Sequence, residues 1–267
     1  MEQEDMKIKI VVVSKNEDFK MSKEALEKGC DGVECEVVQV ADNKDSIAKV
    51  YNKFLDEEKK TLEHDFLVFM HADVSFNPDI LLPHLRDDGV KYDLVGLCGT
   101  SHFSIGASPL NWWTSSNNDS LSKWGCVTHG ELGDQTSWFS QHSPSTMDAE
   151  VACIDGLFIA MSRKAVESEM RFDEQYEGFD FYDTDISMQA FMKLKLKIGV
   201  LVQKDLCHYS VGTSILSPHF LENEAKFRKK WGFAPPKGSE VEKIMNKAST
   251  LVDNAQQPVD KAENPAV

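Results

Sequence analysis

Along the first hundred positions, apolar residues fall in short blocks separated by polar clusters, and the blocks alternate between two periods. Ile8 and the aliphatic run 10–13 are ended by a Ser-Lys-Asn-Glu cluster, which predicts a buried strand over 7–14 with Ser14 at its C-terminal end. A short helix over 21–28, a turn over 29–32 and a second strand over 33–40 follow. Ile47, Val50, Tyr51, Phe54 and Leu55 then recur on one helical face and predict a helix over 45–59. A third strand over 66–70 runs into His71, Ala72 and Asp73. Pro78 opens a helix over 78–86, and a fourth strand covers 92–98. Strands alternating with helices of this length predict a single α/β domain whose mostly parallel central sheet is flanked by helices.

Positions 99–150 break that rhythm. Trp112, Trp113, Trp124 and Trp138, four of the five tryptophans, lie there among Ser, Asn, Gly and Thr with neither period. The segment reads as a long functional loop, or as structure that pattern does not define. The rhythm returns with a strand over 151–161 that contains Asp155 and Gly156, and a helix over 163–170. An amphipathic helix over 183–195, a strand over 198–202 and a core helix over 220–231 come next. Past Ala234 there is no aromatic residue and four prolines appear, so 1–233 reads as the domain and 234–267 as a partly disordered tail. Val241, Ile244, Met245, Ala248, Leu251 and Val252 would line one docking helix within it.

Charge narrows the partners. The 267 residues carry 29 Lys and Arg against 44 Asp and Glu, a formal net charge of -15. Such a surface repels nucleic acid phosphates and anionic membranes, which argues against nucleic acid as a partner. No apolar run is long enough to span a bilayer, and MEQEDMK lacks the basic start of a signal peptide, so the expected location is cytoplasmic. The six cysteines make no dense disulfide framework. Cys30 and Cys35 flank a Gly-containing turn, either as a metal or redox pair or as two ordinary apolar thiols.

In an open parallel α/β sheet, ligands bind beyond the carboxyl ends of the strands. That rule selects Ser14, the His71 to Asp73 turn, and Asp155 with Gly156. His71 and Asp73 are two residues apart and face the same side of an extended chain. A divalent Mg²⁺ or Mn²⁺ would take the Asp73 carboxylate and complete its shell with diphosphate oxygens and water. In the plainer alternative Asp73 caps a turn and His71 is a half-buried, hydrogen-bonded histidine. Further on, FDEQYEGFDFYDTD (172–185) crowds carboxylates and aromatic rings immediately before a helix. Helix capping accounts for some of these acids. An acidic pocket walled by rings, suited to taking a proton from a sugar hydroxyl, accounts for them all. His208 follows a strand and a Lys-Asp turn, and gains meaning only where the fold returns it to Asp73.

The segments KIKIVVVSKNE, SIAKVYNKFLDE, FLVFMHADVSF, DLVGLCGT, VACIDGLFIAMSRKAV, the acidic stretch with its following helix, and CHYSVG occur in that order over roughly residues 7 to 215. Together they resemble glycosyltransferases of the GT-A fold, in particular the bacterial family 2-like group, with the Trp-rich segment matching least. The resemblance implies a Rossmann-like GT-A sheet, a nucleotide-diphosphate-sugar donor over its first half, and a divalent cation, Mn²⁺ or Mg²⁺. Asp73 matches the last Asp of the family's DxD and would hold that cation, while His71 stands at the first position, the HxD form. His208 matches the histidine that completes the metal shell. Ser14 and Asn52 would lie near the nucleotide, and Asp155 and Gly156 match the strand and loop beneath donor sugar and acceptor. Tyr182 and Asp183 occupy the place of the family's acidic pair, which makes Asp183 the preferred general base with Asp185 as its rival.

The mechanism so implied is a single inverting displacement, with the metal offsetting charge on the departing diphosphate. The acceptor would be a glycan, lipid-linked or protein hydroxyl of unknown identity. Two other functions stay open. A nucleotidyltransferase would share the sheet, but no early Gly-rich phosphate loop with a following Lys or Arg is present. A catalytically inactive sugar- or nucleotide-binding module accords with the changed first positions, His71 and Tyr182.

Overall fold

The structure is a computed structural model that describes residues 4–14, 19–102, 105, 106, 108, 110, 122–130, 138–141, 147–210, 217 and 219–255. Trp112 and Trp113 lie outside the described residues, as do positions 256–267. The N-terminal half is built from β1 (Met6–Val13), α1 (Lys23–Glu27), β2 (Val33–Val40), α2 (Ile47–Thr61) and β3 (Phe66–His71). Next come β4 (Val74–Ser75), α3 (Pro78–Asp87), β5 (Leu94–Gly96), β6 (Cys98–Thr100), β7 (Lys123–His129) and β8 (Trp138–Gln141). Then follow β9 (Ala149–Glu150), β10 (Cys153–Ile154), β11 (Phe158–Ser162), α4 (Arg163–Glu167) and α5 (Tyr182–Met188). The last elements are β12 (Ile198–Val200), β13 (Cys207–His208), α6 (Phe220–Trp231) and α7 (Glu240–Ala255), with α7 packed on α6.

The main sheet has seven strands in the order β2-β1-β3-β11-β5-β12-β9. β1 is parallel to both neighbours and β12 is parallel to β5, while β11 and β9 run against the rest. Burial explains why its strands read as continuous apolar runs. Ile8, Ile10 and Val12 enter one core with Phe66, Val68 and Met70, and Val11 and Val13 enter the other with Leu67 and Phe69. With both faces covered, period 2 no longer separates apolar from polar positions. On one side the core is closed by α1 and α3, on the other by α2, α4 and α5.

A second, six-stranded sheet in the order β10-β6-β7-β13-β4, with β8 on β7, is the part that the sequence pattern leaves undefined. The single strand expected over 92–98 is instead two, β5 in the main sheet and β6 in the second. The chain crosses over at Gly96, where a Cβ would stand 2.7 Å from the Cβ of Ile154. Likewise the strand expected over 151–161 is broken into β10 and β11. Its breaker is Asp155, whose carboxylate accepts a hydrogen bond from the Leu157 amide at 2.8 Å and closes a turn. The helix expected over 183–195 is α5 followed by a π-helical stretch, Gln189–Leu194.

Candidate active site

β1 and β3 end level with each other, Val13 opposite His71, so Ser14 and the His71 to Asp73 turn share one edge of the sheet. The Ser14 amide donates to Val40 and its carbonyl accepts from Asn43, both at 3.0 Å, which ties the ends of β1 and β2 together. A cleft of about 380 Å³ opens here, walled by Ser14, Lys44, Ser46, Glu174, Tyr176 and Phe179. Asn52 does not line it. From the buried face of α2, Asn52 Nδ2 donates to Phe172 O and Glu174 Oε1, each at 2.8 Å, and Oδ1 accepts from the Phe172 amide at 3.0 Å. Asn52 therefore fixes the segment that carries the cleft residue Glu174.

The second sheet returns His208 to Asp73. β13 pairs antiparallel with β4, which sets His208 opposite Val74, and the Tyr209 amide donates to Asp73 O at 2.8 Å. Asp73 Oδ1 lies 3.5 Å from His208 Nε2 and 4.0 Å from His71 Nδ1. One ligand atom from each of His71, Asp73 and His208 lies within 4.8 Å of the others. Burial alone would raise the Asp73 carboxyl, but the hydrogen bond and charge of His208 outweigh it and hold Asp73 below the ordinary carboxylate value. For His208, burial works downward and Asp73 works upward, and Asp73 prevails. Burial and the neighbouring His208 push His71 down, toward the neutral imidazole that a metal ligand must be.

The other imidazole nitrogen of His71 is committed. Nε2 lies 2.6 Å from the hydroxyl of Tyr182, the first residue of α5. Phe181 before it holds a left-handed backbone, φ 69°, a conformation that an aromatic residue seldom adopts and that turns the chain into the helix. The Tyr182 ring covers Gly156 so closely that a Cβ there would meet the hydroxyl oxygen at 2.0 Å. Only glycine fits. Its amide donates to Asp183 Oδ2 at 3.1 Å, and the next carbonyl, Leu157, accepts from the His71 amide at 3.1 Å.

Asp183 also accepts from the Thr184 amide at 2.6 Å. These donors favour its charged form, yet burial and then the charge of Asp155 outweigh them and raise the carboxyl to about 7. Asp185 is fully buried. Its Oδ1 accepts from Tyr176 at 3.1 Å and Trp231 at 2.9 Å, and its Oδ2 from Gln189 at 2.8 Å and Lys230 at 2.7 Å. Two residues that the sequence pattern does not single out join the site. His129 stands beside His208 across the parallel β7 and β13 pairing, ring centroids 5.5 Å apart. Lys20, whose amide donates to Ala72 O at 2.9 Å, holds its ammonium 5.4 Å from the Tyr209 ring centroid. Phe179 joins the two parts, lining the cleft while its ring stands edge-on to His71 at 5.8 Å.

A flanked, mostly parallel sheet that gathers carboxylates and imidazoles at its strand ends is an arrangement that binds ligands beyond those ends. Residues 9–231 match the model of the glycosyltransferase-like family, and the chain belongs to that family. Among solved structures it is similar to A197 from STIV, with 14% identity and a TM-score of 0.42 over 75% of this chain and 83% of that one. It is also similar to S. aureus TarS, with 13% identity and a TM-score of 0.46 over 97% of this chain and 46% of that one. The chain thus spans less than half the length of TarS. No curated protein sequence matches it. Among the described residues, no helix is long and apolar enough to cross a membrane.

Proposed function

We propose that this glycosyltransferase moves a sugar from a nucleotide-diphosphate donor to an acceptor hydroxyl in one inverting displacement, with Asp183 as the general base. One observation carries the reading: the three-residue loop 155–157 is bonded to Asp183 through one backbone group and to His71 through another. A base beside a group of cation ligands would serve transfer from a diphosphate. The cleft at Ser14 would take the nucleotide, with Asn52 supporting its wall, and Asp155 and Gly156 would floor the sugar site.

His71, Asp73 and His208 would hold the divalent cation. Two imidazoles beside one carboxylate suit Mn²⁺ better than Mg²⁺, which prefers oxygen donors. When bound, such an ion supplies positive charge to the leaving diphosphate. Lys20 adds a second positive charge at the same edge. As the acceptor oxygen bonds to the anomeric carbon, the bond to the diphosphate oxygen breaks with its electron pair, and Asp183 takes the acceptor proton. A carboxyl titrating near neutrality suits that role. Asp185, with both oxygens engaged, serves to fasten α5 to α6.

We further propose that 1–233 forms the transferase unit, in accord with the matched span 9–231, and that 234–267 is an appendage. A cytoplasmic location accords with six cysteines that all stand free. The test is release of nucleotide diphosphate from UDP-, GDP-, CDP- and dTDP-sugars with Mn²⁺, with water as the acceptor when no other is known. One donor should be turned over slowly by the wild type and not by Asp183→Asn. Binding of a donor without release by any route would instead support the inactive binding module.

A further inference from the structure

His84 and Asp88 stand one turn apart at the C-terminal end of α3, with Asp88 as its C-cap. Asp148 reaches them from the far end of the Trp-rich segment, immediately before β9. His84 Nε2 lies 2.7 Å from Asp148 Oδ2 and 3.8 Å from Asp88 Oδ2, and the three groups offer ligand atoms all within 4.8 Å of one another. We propose that His84, Asp88 and Asp148 form a second divalent-cation site, of the zinc type, that shares no residue with the site at Asp73.

The donor set suits that ion. Zinc takes imidazole and carboxylate ligands at about 2.1 Å in a tetrahedron, so ligand atoms stand about 3.4 Å apart, and the observed 2.7 and 3.8 Å bracket that spacing. The fourth position falls to water. Both aspartates are already oriented, because Asp148 Oδ1 accepts from the Val202 amide at 3.0 Å and Asp88 Oδ1 faces the Lys91 ammonium. In each case Oδ2 faces His84, and an ion would take the place of the hydrogen bond between His84 and Asp148.

Behind His84 lies Gln203, which is only 1% exposed. Its Nε2 lies 2.7 Å from His84 Nδ1, yet its buried Oε1 has no hydrogen-bond partner among the described residues. Buried acceptors are almost always satisfied. With an ion on Nε2 of His84 the ring proton sits on Nδ1, and a half-turn of the Gln203 amide presents Oε1 to it while carrying Nε2 to the place that Oε1 now holds. This is the usual outer shell of a metal-bound histidine, whose second nitrogen donates to an oxygen. The ion would tie the end of the Trp-rich segment to α3 and so fix how that segment re-enters the sheet.

The test uses the full chain, stripped with a chelator, dialysed against Zn²⁺ and assayed for bound metal. Asp73→Ala with His208→Ala should keep the ion proposed here, whereas His84→Gln should hold one ion fewer than the wild type. Asp88→Asn, half exposed and mild for folding, should weaken binding by about tenfold or more. Circular dichroism establishes that each variant is folded, and the rise in melting temperature with Zn²⁺ should disappear in His84→Gln. Folded His84→Gln and Asp88→Asn that bind as much zinc as the wild type would overturn the proposal. So would a wild type whose bound zinc is all lost in the Asp73 and His208 variant.

Discussion

His71, at the end of β3, and Tyr182, at the start of α5, hold each other through a 2.6 Å hydrogen bond between Nε2 and the phenol oxygen, 111 residues apart in the chain. These are the two positions at which this sequence departs from the acidic pattern it resembles, and the departures fit each other. When Nε2 donates its proton to Tyr182, the lone pair of Nδ1 is free on the side of Asp73 and His208. In that tautomer the bond to Tyr182 orients the ring so that His71 can serve as a ligand.

Tyr182→Phe keeps the ring over Gly156 and removes that bond. Mn²⁺ affinity, measured by calorimetry, should fall about 10- to 100-fold, and stability by about 1 kcal/mol. Unchanged Mn²⁺ affinity would separate Tyr182 from the metal triad. Gly156→Ala should act on the same contact more severely, because its methyl group displaces the phenol itself.

Asp183→Asn should leave nucleotide binding within about twofold and lower the transfer rate by about 10²- to 10⁴-fold. In the wild type the rate should fall about tenfold per pH unit below about 7, the range in which Asp183 gains its proton. A pH profile that is flat through neutrality would remove Asp183 from the role of base.

Stability should follow pH with one sign at Asp73 and the opposite sign at Asp183 and His208. Asp183 is raised from an ordinary 3.8 to about 7, so the folded chain binds more protons than the unfolded one in that window, and this group's contribution declines as pH rises through it. Asp73 is lowered, so its contribution is present above 3.8 and lost as pH falls through its folded value. His208 is raised, so its contribution is present below 6.5 and lost as pH rises past its folded value. Denaturation midpoints taken across pH without metal should therefore depend less on pH between about 4 and 7 in Asp183→Asn than in the wild type.

Arg228 and Glu224 form an ion pair on α6 with both side chains at 0% exposure, 2.8 Å apart. Glu224 also accepts from the Leu110 amide at 3.0 Å, and Arg228 donates to the carbonyls of Ile105 at 2.9 Å and Ala234 at 3.0 Å. The pair therefore fastens the start of the Trp-rich segment to the last core helix. Arg228→Met leaves a buried carboxylate uncompensated and should cost about 3–5 kcal/mol in urea unfolding. A loss under about 1 kcal/mol would mean that this anchor is unimportant.

Most of the main sheet is legible in the sequence because its strands are buried on both faces and its helices carry one apolar stripe. Residues 33–40 and the helix over 220–231 fall where the pattern predicts. The second sheet is not legible, since its strands β4, β10 and β13 have two residues each, too few for any period to register. That sheet decides the site: it brings His208 to Asp73 and His129 to His208. Asp185 illustrates the opposite difficulty. Sequence places it beside Asp183 as the rival base, and only packing separates a carboxylate with four donors around it from one held near neutrality by burial. Asn52 is similar, a buried residue whose partner, Phe172, is 120 positions away.

The most direct test of the central claim is a thermal melt of the wild type and Asp73→Ala with UDP, GDP, CDP and dTDP, each with and without Mn²⁺. A ligand at a hundredfold excess over Kd should stabilise the native state by about 2.7 kcal/mol. The account predicts a rise in Tm for one nucleotide that requires Mn²⁺ and is lost in Asp73→Ala. An equal rise in the two proteins, or one indifferent to Mn²⁺, would contradict it.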